Sequence, residues 1–168
     1  MQFRLSAIPS PIGTLTLVVG DTGELRALDF EGYGPRMERL LARQYGPVSL
    51  TEAPALAKHK DALEAYFAGT LDAVSALSTA TNGTAFQRQV WALLKTIPPG
   101  ETLSYAALAA RAGNKAASRA VGLANGANPI AIVVPCHRVI GANGTLTGFG
   151  GGLERKRWLL AHEARHTS

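Results

Sequence analysis

The chain's single cysteine, Cys136, stands directly before His137 and Arg138 in the run Ile132-Val-Val-Pro-Cys-His-Arg-Val-Ile140. A thiolate is a strong, soft nucleophile, and an adjacent imidazole or guanidinium favours it over the thiol. The surrounding Val and Ile residues point the other way, because a lone cysteine among aliphatic neighbours is ordinarily a small buried apolar group. Two features favour the reactive reading. Pro135 removes a ladder donor and ends a strand, so Cys136 falls at a bend. His137 and Arg138 then follow at once. On a continuing strand, adjacent side chains point to opposite faces. His137 therefore acts on Cys136 only if the segment turns, or through a bridging water. A third group would then hold the imidazole. Only three acids occur after residue 83, and Glu163 is the candidate among them.

The other chemistry-bearing patterns are weaker. Gly148-Phe-Gly-Gly-Gly152 lacks the third glycine of a dinucleotide fingerprint, since Leu153 occupies that position, and no Gly-Lys-Ser/Thr follows it. A flexible lid, or backbone that must touch a flat ligand, suits it better. One cysteine forms no internal disulfide and no cysteine zinc cage, so a reducing cytoplasm is the expected setting. No metal and no cofactor are called for. No apolar run approaches the roughly 20 residues of a membrane helix. The opening Met1-Gln2-Phe3-Arg4 lacks an export signal pattern, so no membrane association is expected.

The elements that must position Cys136 fall into two halves. Phe3–Ala7, Gly13–Val19 and Glu24–Phe30 read as strands, with Gly20-Asp-Thr-Gly23 as a hairpin turn. Pro35–Tyr45 and Pro54–Ala68 have helical spacing. Residues 69–83, rich in Thr, Ser, Asn and Gly, read as a linker. These observations predict a small α/β domain with its linker over residues 1–83 and a second domain over 84–168.

Thr84 is an expected N-cap for a helix carrying Phe86, Val90, Leu93, Leu94 and Ile97 on one face, stopped by Pro98-Pro-Gly100. Ser104 is expected to cap a helix over Tyr105–Ala112, with Gly113 ending it. A third helix is expected over Lys115–Asn125. Two short helices around a tight glycine turn form a helix-turn-helix pattern. Ala116, Ala117, Ser118, Ala120, Gly122 and Ala124 make the third helix unusually small-faced, with Arg119 its one long basic side chain. Such a helix can lie in a DNA groove with Arg119 as a probe, or pack tightly on another helix with Arg119 in a surface ion pair. Ile130–Val134 reads as a short buried strand, and Leu153–Glu163 as the last helix.

Hydrophobic residues make up 46% of the 168 and charged residues 17%, which suits a packed globular chain rather than disorder. The net charge of +5 is unevenly placed. Residues 1–83 hold 7 Lys/Arg and 9 Asp/Glu, and residues 84–168 hold 10 and 3, giving −2 and +7. The second half is the one suited to a polyanion, because Lys and Arg on phosphates release counterions.

Pro135-Cys-His-Arg-Val139 resembles the active-site signature of the O6-alkylguanine-DNA alkyltransferases (methylated-DNA–protein-cysteine methyltransferases). The resemblance covers residues 84–163. It includes Phe86-Gln-Arg-Gln-Val-Trp91, Ile97-Pro-Pro-Gly100, Ser104-Tyr105, Arg119-Ala-Val-Gly122, Asn128-Pro129, Gly151-Gly-Leu153 and Trp158-Leu-Leu-Ala-His-Glu163. The first half resembles the family only in general layout. It implies an α/β, ribonuclease-H-like N-terminal domain followed by a mostly α C-terminal domain with a helix-turn-helix.

The implied activity is single-turnover DNA repair. The damaged base is rotated out of the stack from the minor groove of double-stranded alkylated DNA, and its alkyl group passes irreversibly to Cys136. The implied substrate is O6-alkylguanine, with O4-alkylthymine as a further candidate. The resemblance makes Cys136 the nucleophile, His137 a base acting through a water, and Glu163 its orienting partner. Asn128 would brace the active-site turn, and Tyr105 would donate a proton toward the departing guanine. Arg119 would fill the vacated space, with Ala117, Ser118 and Ala120 beside it on the DNA. Val139, Phe149, Gly150 and Gly151 would form the base pocket. The expected state is a monomer, with cooperative binding along DNA left open.

Independent chemistry agrees. Guanine leaves poorly unless its developing charge is neutralised. The thioether product has no acyl carbonyl for water to attack, so turnover is not expected. Phe149 and Gly150 replace a Tyr and a Ser found in other members, which bears on substrate range. Residues 1–83 hold no cysteine for the structural zinc of some members. The alternative readings are a lesion-sensing DNA binder with an inert thiol and a Cys-His hydrolase. The retained cysteine disfavours the first, and the lack of a separate, directly placed histidine disfavours the second.

Overall fold

The computed structural model describes residues 1–146 and 148–167. They divide into two compact units, one of residues 1–82 with 129–133 and one of residues 83–128 with 134–167.

In the first unit, β1 (Gln2–Ile8), β2 (Leu15–Val19) and β3 (Leu25–Phe30) form an antiparallel meander. The turn between β2 and β3 closes with Gly23 donating to the Gly20 carbonyl at 3.0 Å, and Gly23 has φ 81°, where a side chain would be strained. Helix α1 (Gly34–Tyr45) leads to β4 (Ser49–Glu52), which pairs parallel to β1, so the sheet order is β3-β2-β1-β4. Phe3, Val18 and Ala27 from the sheet pack with Met37 and Leu41 of α1. One face of the sheet and the apolar face of α1 thus meet in one layer.

This unit departs from the sequence expectations at four places. The sequence reading had no strand at 49–52. Helix α2 runs over Ala57–Ala68 and begins three residues later than Pro54. The expected linker is docked rather than free. Leu71–Ala76 forms a 3₁₀ turn with Leu71 and Val74 buried, and Leu25 bonds to both the Ser78 carbonyl and the Ala80 amide. Residues 129–133 also pair here, but only Ile130 forms a bridge, to Leu28, so no strand spans Ile130–Val134.

The second unit opens with α3 (Ala85–Leu94). Thr84 caps it as expected, in a reciprocal capping box with Gln87, at 3.1 Å and 3.0 Å. Trp91 of α3 donates from Nε1 to the Ala124 carbonyl at 2.9 Å. Ser104 closes the short strand β5 (Leu103–Ser104) and caps α4 (Tyr105–Arg111) through the Ala107 amide at 3.0 Å. The expected third helix is divided. Lys115–Ala117 is a 3₁₀ turn, and α5 covers Ser118–Gly126. Both α3 and α4 pack on α5. The chain then reaches β6 (Val139–Ile140), parallel to β5, and ends in α6 (Leu153–Arg165). Among the described residues, no helix is long and apolar enough to cross a membrane.

Candidate active site

Cys136, His137 and Arg138 form one 3₁₀ turn, all three buried. The residues before it turn rather than extend, with Ile132 at φ 70°, and the Cys136 amide donates to the Val134 carbonyl at 2.8 Å. The turn supplies what the sequence argument demanded, since on a straight strand Cys136 and His137 would face opposite ways.

Two asparagines hold this turn. Asn128 Nδ2 donates to the Val134 carbonyl at 2.8 Å, just before the turn. Asn125 Nδ2 reaches the Cys136 carbonyl at 3.4 Å. Both are buried. The sequence reading singled out Asn128 but not Asn125, whose Asn-Gly context signals only a chain break.

Glu163 lies on α6, wholly buried, and receives three hydrogen bonds from the turn. His137 Nε2 meets Oε2 at 2.7 Å, Arg138 Nε donates to Oε1 at 2.8 Å, and Arg138 Nη2 donates to Oε2 at 2.9 Å. Arg138 Nη1 also donates to the Ile97 carbonyl at 2.7 Å. Burial alone would raise the Glu163 pKa, but the hydrogen bonds from His137 and Arg138 and the Arg138 charge outweigh it and hold the carboxylate ionised. Burial pushes His137 down. The bond and charge of Glu163 oppose this, and Arg138 and Lys156 add to it, so the imidazole is held neutral. With Glu163 ionised, Nε2 carries the proton and Nδ1 is the basic nitrogen. Nδ1 is buried and has no hydrogen-bond partner among the described residues.

Lys156 is the residue that sequence reasoning missed. It sits in Glu154-Arg-Lys-Arg157, a charged run that reads as a solvated helix face. Yet it is fully buried, and its Nζ donates to the Val139 carbonyl at 2.6 Å. Burial lowers its pKa, while electrostatic interaction with Cys136 raises it. The charge of Lys156 therefore favours the thiolate form of Cys136.

The remaining expected residues are distributed around this centre. Leu103 pairs with Val139 and Ser104 with Ile140, so the β5–β6 ladder ties the exit of the cysteine turn to the start of α4, where Tyr105 stands. A Cβ added to Gly122 would lie 3.8 Å from the Tyr105 ring, so that ring rests against α5. Phe149, Gly150 and Gly151 form a turn before α6, closed by Gly152 donating to the Phe149 carbonyl at 2.9 Å. Arg155 Nη1 reaches the Gly151 carbonyl at 3.1 Å. Arg119 and Ala120 are exposed, whereas Ala117 and Ser118 are half-buried. Among the described residues, no three His, Cys, Asp or Glu side chains gather to hold a metal ion.

Fold and site define a class: an α/β unit followed by a helical unit that carries a buried cysteine beside an imidazole–carboxylate–guanidinium cluster. Comparison with known proteins sharpens this. The ribonuclease-like domain of 6-O-methylguanine DNA methyltransferase matches residues 4–80, and the DNA binding domain of the same protein matches residues 85–165. The methylated-DNA–protein-cysteine methyltransferase of Salmonella typhimurium is 52% identical, over 93% of this chain and 92% of its own. Its counterpart in Mycolicibacterium paratuberculosis is 50% identical, over 95% and 92%. The crystal structure of Mycobacterium tuberculosis OGT in complex with DNA superposes with a TM-score of 0.81 at 46% identity, covering 99% of this chain and 94% of that one. The chain belongs to the 6-O-methylguanine DNA methyltransferase family, with an N-terminal ribonuclease-like domain and a C-terminal DNA-binding domain.

Proposed function

We propose that this chain repairs alkylated DNA by moving the alkyl group from O6-alkylguanine to Cys136. The observation that carries this reading is the buried Cys136–His137–Arg138 turn, joined to Glu163 by three hydrogen bonds. Glu163 fixes the imidazole so that Nδ1 is basic, and His137 takes the thiol proton through a bridging water. The sulfur then attacks the alkyl carbon in line. The carbon–oxygen bond breaks, the pair of electrons leaves with guanine, and Tyr105 supplies a proton to the departing base. The product is a thioether that water does not cleave, so each molecule acts once.

The exposed face of α5 is the DNA-contacting surface. In this reading α4 and α5 act as a helix-turn-helix in the minor groove, and Arg119 enters the stack as the lesion swings out. Ala117, Ser118 and Ala120 line the approach. The backbone around Val139, Phe149, Gly150 and Gly151 receives the extruded base. The protein acts as a monomer in a reducing cytoplasm, which keeps its thiol available.

Mass spectrometry tests this directly. Incubation with duplex DNA containing O6-methylguanine should add one methyl group per chain, located on Cys136, and then stop. Cys136→Ser should abolish the gain while leaving duplex affinity largely intact. Binding without any mass gain by folded wild-type protein would overturn the reading in favour of lesion sensing.

A further inference from the structure

Leu123 is 73% exposed, more so than any other large hydrophobic residue described. It belongs to an ordered helix, α5, rather than to a loop tip. Arg119, Ala120 and Leu123 are exposed, and their spacing of one and three residues places them on one face of α5; Ala116, in the 3₁₀ turn before it, is exposed too. Val121, Ala124 and Asn125 are buried on the other side. The exposed face of α5 thus carries one methyl group, one guanidinium and one leucine. Lys115 and Arg111 flank it, both exposed. The helix lies in the domain matched as DNA-binding, in the half of the chain with net charge +7. That charge suits a polyanion rather than an apolar protein partner.

We infer that Leu123 reads the base pairs beside the lesion, as an apolar probe pressed on the floor of the minor groove. The inference rests on the DNA contact proposed above for α5. Leu123 is four positions on from Arg119, about 6 Å along a helix axis. With Arg119 at the vacated position, Leu123 lies about two base-pair rises away, each about 3.4 Å. In the minor groove a G·C pair differs from A·T chiefly by the guanine 2-amino group, which projects from the floor. A leucine there crowds that group and strips its water without offering an acceptor, a loss that A·T does not impose. Leu123 therefore biases repair toward lesions with A·T at the contacted pair. Apolar side chains in minor-groove proteins act on the same surface.

The test is a set of duplexes that differ only in having A·T or G·C at the second pair on either side of O6-methylguanine. Single-turnover methylation of Cys136 is followed for each. On one side, wild type should repair the A·T duplex about fivefold faster or more, the scale of an uncompensated amino group. Leu123→Ala should bring the ratio near one, and Leu123→Met, similar in volume, should retain it. Leu123 is exposed, so neither change threatens folding, which a melting curve confirms. Equal wild-type rates, or a ratio that persists in Leu123→Ala, would overturn the inference while leaving the repair reading intact. Absence of any methyl transfer would overturn both.

Discussion

Arg138 grips Glu163 through two parallel hydrogen bonds, Nε to Oε1 at 2.8 Å and Nη2 to Oε2 at 2.9 Å, while His137 shares Oε2 at 2.7 Å. Consecutive residues of one turn thus converge on a single carboxylate from another element. Arg138 supplies the charge that keeps Glu163 ionised, and Glu163 in turn fixes the His137 tautomer. The fork geometry matters, because only a planar guanidinium meets both carboxylate oxygens at once.

Glu163→Gln should therefore damage both stability and chemistry. It leaves Arg138 buried without its anion, a loss of about 3–5 kcal/mol for a broken buried pair. It also removes the anion that positions the imidazole, so methyl transfer should slow by about a hundredfold, the scale of a general base. Denaturant unfolding and single-turnover kinetics at a temperature where the variant is folded would separate the two effects. Transfer at the wild-type rate would show that His137 needs no carboxylate partner.

Much of this arrangement was legible in the sequence, and the exceptions have physical causes. Thr84 and Ser104 announced their helices because a hydroxyl just before an apolar repeat can accept from the otherwise unpaired first-turn amides. Cys136, His137 and Glu163 were legible because few residue types can do the chemistry and the chain offers few of them. Strand β4 escaped notice because only Leu50 of Ser49–Glu52 is even half-buried, so no alternation marks it. The 71–77 segment looked like a linker by composition, yet Leu71, Val74 and Leu77 are buried at a three-residue spacing that a 3₁₀ turn produces. Lys156 was hidden for a different reason. Local sequence cannot reveal that one charge in a run of four faces inward, since the Val139 carbonyl that receives it lies 17 residues away.

Acid should unfold the protein in two stages. His59 of α2 is fully buried, and neither ring nitrogen has a hydrogen-bond partner among the described residues. Burial holds it below its ordinary 6.5, and Lys58 adds to this. His137 is also held below 6.5, by burial first. For both, the unfolded chain takes up a proton that the native state resists. Stability is therefore complete above about pH 6.5 and falls as the pH drops below it. Glu163, held below its ordinary 4.5, adds a second decline below about pH 4.5, as the unfolded carboxyl protonates first. His59→Leu should reduce the slope of the first stage, leaving the share of His137, and should leave the second unchanged. Unfolding free energies from pH 2.5 to 8 would check this, and an unaltered slope between pH 5 and 6.5 would assign that stage elsewhere.

The buried ammonium of Lys156 serves two groups at once. It holds the Val139 carbonyl at 2.6 Å, next to the turn that presents Cys136, and its charge interacts with the thiolate. Lys156→Met keeps most of the stem's volume and removes both effects. The thiolate then loses a buried positive neighbour, so the pH profile of transfer should move to higher pH. Each unit of that displacement costs about tenfold in thiolate at a fixed lower pH. The loss should appear with the free alkylated base as well as with duplex DNA, because neither effect depends on the DNA backbone. A loss confined to duplex DNA, with an unmoved pH profile, would instead make Lys156 a residue that shapes the DNA approach. Rates measured on both substrates across pH 6 to 9 would distinguish the two roles.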